Sequence, residues 1–163
     1  MEKPYKIPIQ TCIGHVHLKV SNLQRSLDFY CDLLGFEITT MYGTEAAFVS
    51  AGGYHHHIGL NTWYSEDYPM AQKKGVGLFH TAILYPTRKD LATIYNRLLQ
   101  INYHITGSAD HGVSQAIYLN DPDNNGVELY WDKPKVEWLY NEDGTLIMYS
   151  AVLDLDDLLK EII

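Results

Sequence analysis

Cysteine is almost missing from this chain. Cys12 and Cys31 are the only two in 163 residues. That is too few for a disulfide framework, and both are expected to be reduced, as in a cytoplasm. Long apolar runs are missing too, and none approaches the length that crosses a bilayer. No basic-then-apolar leader opens the chain, so a cytoplasmic location is expected and a membrane partner is not. Positive charge is scarce: 12 Lys and Arg stand against 20 Asp and Glu, a formal net charge of -8 with histidine neutral. Phosphate repels such a surface, so nucleic acid is not an expected partner.

What is present describes a folded domain. Hydrophobic residues make up 46% and charged residues 20%, a globular composition. The length suits one domain over 1–163 with a sizeable core. There are 13 tyrosines; some are expected to line a pocket, since a tyrosine offers a ring and a polar tip together. A run of three histidines, His55 to His57, lies inside the chain, where no affinity tag sits.

The chain repeats its pattern. In 13–20, Val16, Leu18 and Val20 alternate with His15, His17 and Lys19, the mark of a strand with one apolar face. A helix follows over 21–36, with Leu23, Leu27, Tyr30 and Leu34 at helical spacing, Ser21 or Asn22 to cap it and Gly35 to stop it. Extended pieces are expected at 36–42, 44–51 and 55–63. The same order returns in a strand at 78–85, a helix at 87–103, and extended pieces at 103–107, 114–121 and 125–132. The turn "DPDNNG" (121–126) joins the last two. His15 and His80 hold matching places, each opening the first strand of its unit. This gives an α+β fold of two βαβββ modules, about 11–65 and 78–132, forming a curved mixed sheet around a metal-binding cavity. A polar connector spans 64–77, and a tail, 133–163, ends in a short amphipathic helix.

Strand parity sorts the side chains. His15 and His17 face the cavity, as do His80, Ala82 and Leu84, while Glu128 and Tyr130 turn inward from "NGVELYW". In "HHHIGLN", Ile58 and Leu60 pack on the helix. His55, His57, Gly59 and Asn61 then face the cavity, and His56 faces away. A carboxylate in a curved sheet is costly unless paired or metal-bound. Glu128 with His15 and His80 makes two imidazoles and one carboxylate with open coordination positions, a set that suits non-haem Fe(II). A strand histidine is ordinarily structural or exposed, and only the matched places in the repeat argue otherwise. His17 shares the face of His15 and remains an alternative ligand.

"GHVHLKVSNLQRSLDFYCDLLGFEI" and "LNDPDNNGVELYWD" resemble the opening strand and helix and the closing turn and strand of the vicinal oxygen chelate superfamily. That group holds glyoxalases, bleomycin and fosfomycin resistance proteins and extradiol ring-cleaving dioxygenases. The resemblance covers roughly 11–132. It implies His15, His80 and Glu128 as metal ligands. "DHGVSQAIYLNDPDNNGVELYWD" resembles the extradiol signature and implies a catechol 2,3-dioxygenase-like oxidoreductase. In that reading His57 is the acid/base, Tyr118 bonds the substrate oxygen and His111 binds substrate. The implied cofactor is Fe(II), with Mn(II), Zn(II) or Ni(II) as alternatives, and the implied partners are an aromatic diol and dioxygen. Members of the superfamily often pair, which leaves a homodimer open. Gly59 stands where glyoxalases carry a second ligand; it cannot ligate, and it is expected to open space beside the metal. A glyoxalase-like lyase or isomerase is the alternative enzyme, and metal-free drug sequestration the alternative from another class.

Overall fold

The computed structural model describes residues 4–72 and 74–163; Met1–Lys3 and the connector's Lys73 lie outside it. The fold is α+β and runs through β-α-β-β-β twice. In module one, β1 (Val16–Lys19) leads into α1 (Leu23–Leu27), which continues as a π-helical segment at Asp28–Leu33. Asn22 caps α1 by accepting the Arg25 N–H at 3.0 Å, which satisfies one orphan donor of the first turn. At the other end the Phe36 N–H reaches the Tyr30 carbonyl at 3.0 Å and closes the segment at Gly35. Strands β2 (Glu37–Tyr42), β3 (Ala46–Ser50) and β4 (Ile58–Asn61) follow. Module two holds β5 (Thr81–Leu84), α2 (Arg88–Gln100), β6 (Ile105–Asp110), β7 (Ser114–Asn120) and β8 (Gly126–Asp132).

The strands form two four-stranded sheets with matching orders, β1-β4-β3-β2 and β5-β8-β7-β6. The single curved sheet expected from the repeat is thus divided in two. Its first strands, β1 and β5, each end a sheet and do not pair with one another. In each sheet the first and last strands of the module run parallel and the other pairs antiparallel. Parallel neighbours need a crossover, and the helix supplies it.

The apolar strand faces meet the helices in one core. Leu18, Val20, Val49, Ile58 and Leu60 of module one join Leu91, Leu98, Ile117, Val127 and Leu129 of module two in a single buried cluster. Each such side chain contributes on the order of 1.5–3 kcal/mol by leaving water. The tail adds Leu153 and, from α3 (Leu155–Leu159), Leu158. Arg88 at the start of α2 ties α3 down, donating to Asp157 at 2.8 Å and Glu161 at 2.7 Å. Among the described residues no helix is long and apolar enough to cross a membrane.

The turn "DPDNNG" does more than reverse the chain. The Asp123 carboxylate accepts from the Ser21 N–H (3.0 Å), the Ser21 hydroxyl (2.6 Å) and the Arg25 guanidinium (2.6 Å) of module one. Asp121, 4% exposed, accepts from the Tyr30 hydroxyl at 3.1 Å and from the Asp123 and Asn125 N–H groups. A buried charge is tolerated only when its lone pairs are used in this way. Burial pushes the Asp121 carboxyl up, and the donors around it recover part of that cost. The turn thus links the two modules as well as two strands.

Candidate functional site

Module two assembles four of the chain's polar groups into a line. Gly126 opens β8, and a side chain there would run into the Phe79 carbonyl oxygen. That close approach lays the residue before β5 against β8. His80 Nε2 consequently meets Glu128 Oε2 at 2.9 Å, with side chains 30% and 13% exposed. One strand over, Tyr118 lies directly opposite Glu128 in the β7–β8 register. Its hydroxyl donates to Glu128 Oε1 at 2.9 Å and contacts His111 Nε2 at 2.6 Å. His111 Nδ1 lies 2.9 Å from the Tyr149 carbonyl oxygen of the tail. A carbonyl only accepts, so this nitrogen carries a proton.

Burial, and then the bond to Glu128, push the Tyr118 phenol up to about 12. It therefore stays protonated and able to donate at neutral pH.

A cavity of about 950 Å³ opens beside this line, with His80, His111 and Tyr118 in its wall. Val76, Leu78 and Phe79, which precede β5, and Gly107 and Ser108 of β6 line it as well. Its mixture of apolar wall and a few convergent polar groups is that of a small-molecule site.

His15 and His57 stand elsewhere, on module one. The His15 ring packs on His56 with centroids 4.3 Å apart. Among the described residues no group of three or more His, Cys, Asp or Glu side chains is placed to hold a metal ion, so His15 lies outside the His80–Glu128 pair. His57 Nδ1 receives the Ala51 N–H at 3.3 Å and meets the Ser50 hydroxyl at 2.9 Å. An N–H donor there leaves Nε2 as the protonated nitrogen of the neutral ring. The expectation that His56 faces away is overturned: its ring lies against both His15 and Phe48, on the open face. The reason is local, because β4 begins only at Ile58 and strict alternation does not reach His56. Burial, and then His15 and the neighbouring histidines, hold His56 below the usual imidazole range.

Gly59 also departs from expectation, for it opens no space. It pairs with His17 across β1 and β4, and a Cβ on it would sit 2.9 Å from the His17 ring. The imidazole already fills the room. Asn61 Nδ2 reaches His17 Nε2 at 2.8 Å, so the nitrogen that would serve a metal is engaged within the module.

The donors present suit a divalent metal in kind but not in number. His80 Nε2 and Glu128 Oε2 are the nitrogen and oxygen types such an ion takes, and they converge on one spot. His80 Nδ1 is buried with no partner, where a metal-bound imidazole ordinarily donates to a carbonyl or carboxylate. One chain supplies two converging donors, one fewer than the set expected from the sequence.

The sequence reading missed the Tyr149 carbonyl on His111, the Ser50 anchor on His57 and the Asp123 clasp. The first and last come from residues far apart in the chain and carry no local signal. Ser50 ends β3 ahead of the turn to β4, and pairing it with His57 requires the β3–β4 register.

A model of the Glyoxalase/Bleomycin resistance protein/Dioxygenase superfamily matches residues 12–129. "Catechol-2,3-dioxygenase" of Bacillus subtilis (strain 168) is 37% identical over 155 residues, 93% of this chain and 52% of that protein. "Biphenyl-2,3-diol 1,2-dioxygenase 3" of Rhodococcus globerulus is 29% identical over 139 residues, 82% of this chain and 72% of that one. The chain thus spans about half the length of the first of these relatives. Among solved structures, a glyoxalase/dioxygenase from Nostoc punctiforme superposes with a TM-score of 0.64 at 18% identity, covering 82% of this chain and 100% of the other. A glyoxalase/bleomycin resistance protein/dioxygenase from Alicyclobacillus acidocaldarius gives 0.60 at 14% identity, covering 77% and 95%. At these identities the two structures bear on the fold alone.

Proposed function

The chain belongs to the glyoxalase/bleomycin resistance protein/dioxygenase superfamily, and from that premise we propose that it is an extradiol dioxygenase that opens an aromatic ring beside two neighbouring hydroxyls. The observation that carries this reading is the hydrogen-bonded line His111–Tyr118–Glu128–His80 at the wall of the cavity. Relatives named for catechol and biphenyl-2,3-diol dioxygenation support it. The proposed metal ligands are His15, His80 and Glu128, and Fe(II) is the proposed ion, with Mn(II), Zn(II) or Ni(II) as substitutes. When bound, such an ion would hold the vicinal oxygens of the diol and lower their pKa.

The remaining work falls to the chain's own side chains. Tyr118, kept as a phenol, donates a hydrogen bond to a substrate oxygen and fixes its orientation. His111, with Nδ1 committed to the tail carbonyl, presents Nε2 as the next proton position along the line. The apolar cavity wall takes the ring and excludes water. His57, with its tautomer fixed by Ala51 and Ser50, is the proposed acid/base.

The test is anaerobic loading with Fe(II), then addition of catechol or 2,3-dihydroxybiphenyl and air. A yellow ring-fission product is expected. Tyr118→Phe is expected to keep its metal and lose kcat by roughly 10²-fold. No colour with either diol, together with turnover of a hemithioacetal, overturns the proposal in favour of the glyoxalase-like enzyme.

A further inference from the structure

The tail leaves module two and then comes back to it. Directly after β8 the Lys133 N–H donates to the Val113 carbonyl at 2.8 Å. The chain turns through a bridge between Tyr140 and Leu146 and meets the β6–β7 turn a second time at Tyr149–Ala151. There Ala151 pairs with Asp110, its N–H bond 2.9 Å long and its carbonyl bond 3.0 Å. The Tyr149 N–H reaches the His111 carbonyl at 3.3 Å, and the Tyr149 carbonyl lies 2.9 Å from His111 Nδ1. We infer that the returning tail is part of the site, with Tyr149 as a positioning residue. Its main-chain carbonyl holds the His111 ring with the proton on Nδ1 and leaves Nε2 as the nitrogen offered to Tyr118 and the substrate. The inference rests on the proposed function and adds to it a segment from outside the two modules.

Three observations carry it. The first is what the Tyr149 carbonyl binds. A segment that merely covers a sheet edge spends its carbonyls on strand N–H groups. β6 is such an edge, yet the pairing stops at the one bridge to Asp110. The His111 N–H is already taken by the Ser114 carbonyl at 2.8 Å. The Tyr149 carbonyl therefore takes a side chain from the cavity wall instead.

The second is how the tail is seated. Gly112 has φ +80°, and a Cβ on it would stand 2.6 Å from the Tyr149 ring. Only glycine lets the tail come this near. The Asp110 carboxylate steadies the seat by accepting from the Gly112 N–H at 2.8 Å, the Gln115 amide at 3.1 Å and Lys133 at 2.7 Å.

The third is anchorage. Leu153 and Leu158, just beyond the crossing, are buried in the core. Arg88 ties α3 to the same seat, because its Nε donates to Gln115 Oε1 at 2.8 Å while another of its nitrogens holds Asp157. The crossing also contributes Ser150 to the cavity wall. The partner of one imidazole nitrogen decides the state of the other. A carbonyl fixed in this way therefore sets what Nε2 can do.

The experiment reads the ring directly, in metal-free protein labelled with nitrogen-15. Long-range correlation spectra at about pH 8, where an unperturbed imidazole is neutral, show which His111 nitrogen carries a proton. The His111 signals are those missing from His111→Gln. Wild type is expected to show Nδ1 protonated. Gly112→Ala drives a methyl into the Tyr149 ring and should lose that signature. Loaded with Fe(II), it should lose kcat by roughly 10²-fold with KM and bound metal little changed. Adding Tyr149→Ala takes away the ring and leaves the carbonyl in the chain, so it should restore the Nδ1 proton and most of kcat. Ala151→Pro removes the N–H that pairs with Asp110 and should reproduce both losses from outside the turn. It decides the matter if circular dichroism shows Gly112→Ala unfolded. A wild-type His111 with a bare Nδ1 overturns the inference and leaves the proposed function standing. So does an unaltered ring in Ala151→Pro, or a double variant no better than Gly112→Ala. Loaded wild type that opens neither catechol nor 2,3-dihydroxybiphenyl overturns the proposed function, and the positioning role with it.

Discussion

The two modules share a strand order and part company at one register position. In module one His17 on β1 faces Gly59 on β4; in module two Ala82 on β5 faces Glu128 on β8. A large side chain opposes glycine in the first, and a small one opposes a carboxylate in the second. Volume is conserved across the pair of strands while chemistry is not. The His17 ring occupies in module one the space that the Glu128 side chain uses in module two. A repeat therefore preserves packing first, and module one sets a glycine against the imidazole without leaving a hole.

The largest predicted effect attacks that exchange directly. Gly59→Glu would drive a side chain into the His17 ring and bury a charge, so it should destabilise the protein by about 3–5 kcal/mol. Adding His17→Ala should recover a large part, and urea unfolding of the two single variants and the double measures the coupling. Tolerance of Gly59→Glu alone would break the comparison. A smaller effect is expected from Asp123→Ala, which removes the carboxylate that holds Ser21 and Arg25 of the other module. It should cost about 2–3 kcal/mol, and hydrogen exchange should show the modules opening in separate steps.

The smallest effect is at the tail. Lys133 donates to Asp110 at 2.7 Å. Burial works to raise the Asp110 carboxyl, but Lys133, Gln115 and the Gly112 N–H outweigh it and hold it below its ordinary value. A depressed carboxyl stabilises the fold above its unfolded value of about 3.9 and loses that contribution as pH falls through the folded value. Wild type should therefore exceed Asp110→Asn by on the order of 1 kcal/mol at pH 7. The gap should close below about pH 4, as read from unfolding midpoints across that range. A gap that persists at low pH would assign the difference to packing instead.

Much of module two was legible because its signals are local. Val127 and Leu129 alternate with Glu128, and the alternation holds in the structure, with the apolar pair in the core and the carboxylate turned to His80. The spacing of Tyr118 and Glu128 across a short turn fixes them as direct strand neighbours. Module one was less legible. Its alternation holds at Leu18 and Val20 and again at Ile58 and Leu60, but the histidine run precedes β4, so parity misplaced His56. The distance of His15 from Glu128 depends on how the modules dock. That docking hangs on contacts such as Ser21 to Asp123, 102 residues apart, which no local pattern encodes.

One short turn thus serves two masters. Residues 121–126 aim Glu128 from one end and anchor the other module through Asp121 and Asp123. Any substitution that loosens the joint also moves the carboxylate, and any that re-aims the carboxylate strains the joint. The protein cannot drift toward a new ligand geometry at this position in small independent steps. Changes there must come in compensating sets, and adaptation to new substrates should concentrate instead in the cavity wall around Val76, Leu78 and Phe79.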